Sequence, residues 1–313
     1  MKQRVIIFLS IFFIAVFNLN IAQVLKIYTT LPSLSSITKS VGGDLVSVNS
    51  LTKGSQDAHY LEAKPSYMIQ LNKADLLIYS GLELEIGWLS LLIQGARNSE
   101  IIPGGRGSLN ASSALSNEYI LEKPRGEVDR TMGDVHAAGN PHFLLDPRNA
   151  IDIADLICNK LIELDPGHKN NYLNNLQIFQ RNLEKKISEW ERKFLFMQGR
   201  EIVCYHPHWS YLLNWMKLKL AGYIETKPGI PPTPRHKREI INMIKEKNIP
   251  VVLVSTWKEP SIAKEVASVT DSQLLILPGE VEAAPEATDY ESWIDFMVRK
   301  LVSSYSNKLR GGN

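Results

Sequence analysis

Between Lys169 and Met197 seven large apolar residues, Tyr172, Leu176, Phe179, Leu183, Ile187, Trp190 and Phe194, recur at spacings of four, three, four, four, three and four. That rhythm places all of them on one face of a single helix. A helix over the whole span is roughly 40 Å long, at about 1.5 Å per residue. An isolated coiled coil would satisfy the pattern. One stripe of seven positions is met more simply by a long helix packed across two lobes.

The flanking sequence supplies the lobes. Before the stripe, Leu25–Thr29, Leu45–Leu51 and Asp75–Tyr79 read as strands, and Ser33–Val41, Pro65–Lys73 and Gly87–Arg97 as helices. Residues 104–140 read as surface loop with one short strand, and a helix then starts at Pro147 and runs to about Glu163. After Gly199, strands are expected at Glu201–Tyr205, Lys217–Ala221, Pro250–Val254 and Leu274–Leu277, with helices at Trp209–Trp215, Pro234–Lys247, Pro260–Val269 and Tyr290–Tyr305. Alternation of this kind implies parallel sheets covered by helices. The predicted architecture is α/β: two parallel-sheet lobes, residues 23–166 and 199–313, joined by one long backbone helix at 167–198.

The N-terminus differs in kind. Lys2 and Arg4 precede an apolar run from Val5 to Phe17, too short for a comfortable membrane span and matching the core of a signal peptide. Residues 1–22 are read as that peptide, with an uncleaved anchor as the alternative. The first cysteine after the run is Cys158, so a lipid anchor on a mature N-terminal Cys is not expected. An exported, soluble, monomeric protein follows. Its two cysteines, Cys158 and Cys204, sit in apolar settings and read as buried small hydrophobes rather than a bridge. A net charge of +2 gives no ground for nucleic acid or an anionic membrane as the main partner.

The chemistry concentrates in histidines. His59, His142 and His206 each lie where a strand or loop gives way to a helix, and they come from both lobes. Ligands of open α/β sheets bind at the carboxyl ends of strands, so a cleft between the lobes is the natural meeting point. Neutral imidazole is the commonest metal-ligating side chain, and three of them favour zinc over magnesium or calcium. His136 lies six residues before His142 and reads as a solvent-facing loop residue. His208 reads as a polar residue at a helix start, and His168 and His236 as exposed.

Several segments in order carry a family resemblance. They are Asp57-Ala-His-Tyr-Leu-Glu-Ala-Lys-Pro-Ser66, Ala74-Asp-Leu-Leu-Ile-Tyr-Ser-Gly-Leu-Glu-Leu-Glu85, Asn140-Pro-His-Phe-Leu-Leu-Asp-Pro-Arg-Asn-Ala150, Tyr205-His-Pro-His-Trp-Ser-Tyr211 and Glu225-Thr-Lys-Pro-Gly-Ile-Pro-Pro-Thr-Pro234. With them the chain resembles the substrate-binding proteins of ABC transporters for zinc and manganese, the metal-binding, adhesin-like cluster A-I group. The resemblance implies that His59, His142 and His206 occupy the first three places of a four-place metal site. The family's fourth ligand, an Asp after the last strand, does not transfer: Leu277 or Pro278 stands there. Glu280 is the leading candidate for that place, with Glu282, His136 or water as alternatives. Glu225 is a candidate acceptor for a ligand imidazole.

The resemblance implies an extracytoplasmic protein that carries a metal to an ABC permease and is not an enzyme. Zinc is the expected cargo and manganese the alternative, because nitrogen donors suit zinc and manganese prefers oxygen. A zinc hydrolase needs an open metal position and a general base; no motif for the base accompanies these histidines, and no catalytic residue is assigned. A metal-stabilised adhesin is the remaining alternative.

Overall fold

The computed structural model describes residues 24–124, 136–227 and 230–310, and the side chains only as far as 307. The expected signal segment lies outside these residues. The first lobe is built from β1 (Leu25–Thr29), α1 (Pro32–Gly42), β2 (Val46–Ser50), α2 (Pro65–Asn72), β3 (Leu76–Tyr79), α3 (Leu89–Ala96), β4 (Ser108–Asn110) and α4 (Pro147–Leu164). α5 (Lys169–Phe194) follows. The second lobe comprises β5 (Glu201–Cys204), α6 (Ser210–Met216), β6 (Lys219–Tyr223), α7 (Pro234–Lys247), β7 (Val251–Ser255), α8 (Ser261–Thr270), β8 (Gln273–Leu277) and α9 (Tyr290–Arg310).

Each sheet has four parallel strands in the same order, β2-β1-β3-β4 in one lobe and β6-β5-β7-β8 in the other. The first strand of each lobe is therefore central, and its carboxyl end lies where the chain switches direction across the sheet. Open α/β sheets bind their ligands at that point.

The seven stripe residues of α5 are all buried. The helix packs on α1 and α4 of the first lobe and on α9 of the second. Trp190 Nε1 donates to Asp295 Oδ1 at 2.9 Å, tying α5 to α9. α4 and α7 begin as the sequence suggests, with Asp146 accepting from Arg148 N and Thr233 from His236 N, and with a proline in the first turn of each. One strand is displaced: β6 starts at Lys219 rather than Lys217. Lys217 adopts the left-handed conformation that ends α6, and Leu218 N bonds back to Leu213 O, so the strand cannot begin until two residues later. Both cysteines are buried and free. Among the described residues no helix is long and apolar enough to cross a membrane.

The lobes meet directly as well as through α5. A Cβ on Gly54 would stand 2.1 Å from Val281 O, so only glycine lets the two backbones approach so closely. Tyr290 donates from its hydroxyl to Leu144 O and from its backbone N–H to Ser36 Oγ.

Candidate metal centre

His206 lies two residues past the end of the central strand β5, and the sheet determines what stands beside it. The ladder with β6 continues one step past the strand, where Glu225 N donates to Tyr205 O at 3.0 Å. That register brings the Glu225 carboxylate to His206, with Oε2 at 2.7 Å from Nδ1. An ionised carboxylate only accepts, so Nδ1 carries a proton, and in the neutral ring Nε2 is then the nitrogen with the lone pair. Asn140 Nδ2 donates to Pro207 O and Tyr211 Oη donates to Asn140 O, locking the segment before His142 to the one after His206. Asn140 Oδ1 accepts from His142 N.

His59 lies in the loop after β2. Asp57 Oδ1 accepts both its backbone N–H, at 3.1 Å, and its Nδ1–H, at 2.6 Å. A single carboxylate thus forms the turn and orients the ring. Trp88 Nε1, donating to Ala58 O, anchors the same loop to the first lobe's core. Burial alone would raise the Asp57 pKa, but the hydrogen bonds and charge of His59, with a smaller contribution from Lys258, hold it well below the usual carboxylate range.

The imidazoles converge. The His59 ring centroid lies 5.3 Å from that of His142, 5.2 Å from His136 and 6.4 Å from His206. His59 Nε2 and His136 Nε2 are 3.1 Å apart. All four rings line one cavity of about 130 Å³ between the lobes, room for an ion and a few waters, each of which takes about 30 Å³ in the liquid. Among the described residues, no three such side chains form a finished ligand set as they stand; the rings face a common space without having closed on one point. Burial first, then the neighbouring imidazoles, holds the pKa of His142 well below the ordinary histidine value, keeping that ring neutral and one ring nitrogen's lone pair available.

Two histidines stand differently from their sequence reading. His136 turns inward to His59 rather than out to solvent. His208 is buried, not a polar helix start: its ring meets those of His142, Trp209 and Trp257 edge-on at 4.2, 4.6 and 4.7 Å. His208 Nε2 lies 3.2 Å from Gly279 O, while Nδ1 is buried without a partner. Glu280 is placed away from the four-ring cavity. It lines a smaller cavity on the other side of His142, and its oxygens accept from Ser33 N and Oγ and from Val281 N at 2.8–3.0 Å. It thereby caps α1 from the opposite lobe. Asp57 and Lys258 were not singled out by sequence reasoning. Asp57 could have been, since it sits two residues before a candidate ligand; Lys258 lies in the loop after β7 and carries no motif.

Residues 27–304 match the family described as zinc-uptake complex component A, periplasmic (ZnuA). The manganese ABC transporter substrate-binding lipoprotein PsaA of Streptococcus anginosus is 23% identical over 292 residues, covering 91% of this chain and 90% of that protein. The iron-binding protein YfeA of Yersinia pestis is 25% identical over 257 residues, 80% of this chain and 76% of its own length. A crystal structure of ZnuA superposes with a TM-score of 0.73 at 23% identity, covering 89% of this chain and 98% of that one.

Proposed function

The chain belongs to the ZnuA family of metal-binding, extracytoplasmic substrate-binding proteins of ABC transporters, which are not enzymes, and on that footing we propose that its cargo is zinc. The ligands in this reading are His59, His142 and His206, with His136 in the fourth place and Glu280 as the competing candidate. One observation carries it. His59 and His206, from opposite lobes, each have Nδ1 held by a carboxylate, so that in the neutral rings Nε2 is the metal-binding nitrogen and both turn to the cavity they share, where His59 Nε2 meets His136 Nε2.

An all-nitrogen set of four suits tetrahedral zinc. Manganese prefers oxygen, and the nearby carboxylates are already engaged: Asp57 and Glu225 by imidazoles, Glu280 by Ser33 and Val281, and Glu122, which lines the cavity, by Asn140, Ser210 and Tyr223. The second reading, manganese, is favoured by relatives named for that metal; it would require Glu280 to leave α1, or Glu122 at the cavity wall to leave Asn140 and Ser210. In the proposed cycle the protein, exported by residues 1–22 and acting as a monomer, binds zinc between lobes 23–166 and 199–313. It then docks on its permease and releases the ion.

Competition between zinc and manganese for the purified protein, followed by calorimetry on variants, tests both parts. Wild type should take one zinc per chain. His59→Ala, His142→Ala and His206→Ala should each weaken binding by more than the roughly 10–100-fold that loss of an outer partner costs. Unchanged affinity in all three variants would overturn the site, and stoichiometric manganese in place of zinc would overturn the metal.

A further inference from the structure

We infer that Lys258 sets how loosely the metal is held, as a cation shared by the two carboxylates behind the site. The inference rests on the zinc-site reading above. Lys258 Nζ stands 3.8 Å from Asp57 Oδ2 and 3.7 Å from Glu225 Oε1. Its side chain is 14% exposed, Asp57's is 18% and Glu225's 5%, so these charges act largely out of water. The other oxygen of each carboxylate takes an imidazole Nδ1–H. A continuous chain results: His59, Asp57, Lys258, Glu225, His206. It crosses from one lobe to the other and ends on the two Nε2 atoms that face the cavity.

The sheet explains the placement. Glu225 follows β6 and Lys258 follows β7, the two neighbours of β5, so the carboxyl ends of three adjacent strands deliver His206, its carboxylate and the cation together. Lys258 N bonds to Ser255 O, fixing the turn that carries it.

Three effects of this ammonium run in one direction. It repels a dication directly. It also draws carboxylate charge away from the imidazole Nδ1–H groups, which makes both rings weaker donors to a metal. Finally, it adds positive charge to the metal-free state beside two buried carboxylates, and so reduces what an incoming dication gains by pairing with them. Each effect lowers metal affinity. A plain structural tie between the lobes would do the opposite, since cutting it would loosen the site. The sign of the change therefore separates electrostatic tuning from scaffolding, and a carrier that must surrender its ion has a use for the former.

The test is zinc affinity and dissociation rate for the full chain and for Lys258→Met, Lys258→Gln and Lys258→Arg, with His206→Ala in parallel. Loss of the charge should tighten zinc binding by about ten-fold or more, the scale of removing one nearby repelling charge, and slow its dissociation, and zinc should raise the melting temperature of Lys258→Met by more than it raises that of wild type. Lys258→Arg should behave as wild type. Equal or weaker binding in both Lys258→Met and Lys258→Gln would overturn the inference. Should His206→Ala lose zinc in that case, only the role of Lys258 fails; should His206→Ala keep wild-type affinity, the site itself is wrongly placed.

Discussion

Glu280 is a carboxylic acid buried between two lobes, and three hydrogen-bond donors do not offset that burial. Its pKa is pushed up to about 7, burial outweighing the donors on Val281 and Ser33. A group whose folded pKa is raised favours the fold in its protonated form. The contribution is complete below the unfolded value near 4.5 and is lost as pH rises through about 7. Glu280→Gln should therefore melt higher than wild type at pH 8 and lose that advantage at pH 5, as read by thermal denaturation of metal-free protein. An equal difference at both pH values would mean the carboxylate does not titrate there. If His136 rather than Glu280 fills the fourth place, the same variant should also retain zinc. At this scale the sequence was partly legible. His59, His142 and His206 stand in short motifs, and their convergence on one cavity was readable from them. The inward turn of His136, the burial of His208 and the place of Lys258 were not, because their surroundings are assembled from distant parts of the chain: His136 meets a ring 77 positions away and Lys258 bridges to the other lobe.

At the scale of elements, periodicity was the reliable guide. The stripe from Tyr172 to Phe194 is buried at every one of its positions, because a helix lodged between two lobes has no choice of face. Leu183, fully buried near its middle, is the place to test that role. Leu183→Ala should cost about 2–5 kcal/mol by urea denaturation, and a loss under about 1 kcal/mol would show that the seam can repack. β6 was misplaced because Lys217 reads as an ordinary polar residue. Its left-handed backbone follows from how α6 must end, which no alternation of apolar residues announces. The loop after β7 was equally mute. Trp257, Lys258 and Gly279 make sense only together, since a Cβ on Gly279 would overlap the Trp257 ring.

Across the whole molecule the two sheets share one hydrophobic core. It runs from Ile27 and Ile78 in the first lobe through Leu183 and Trp190 to Ile202 and Leu253 in the second. Two sheets joined in this way should unfold in one transition, with calorimetric and van't Hoff enthalpies equal; two resolved transitions would show that each lobe stands alone. The same seam bears on the order of events in folding. Its second-lobe side is closed by α9, whose Trp293, Ile294, Met297 and Leu301 are buried in that core and which lies at the far end of the described chain. Until α9 arrives, Trp190 has Trp215 of α6 beside it but lacks its Asp295 partner. A nascent chain therefore cannot complete this core until α9 has been made, so that full folding comes late in synthesis.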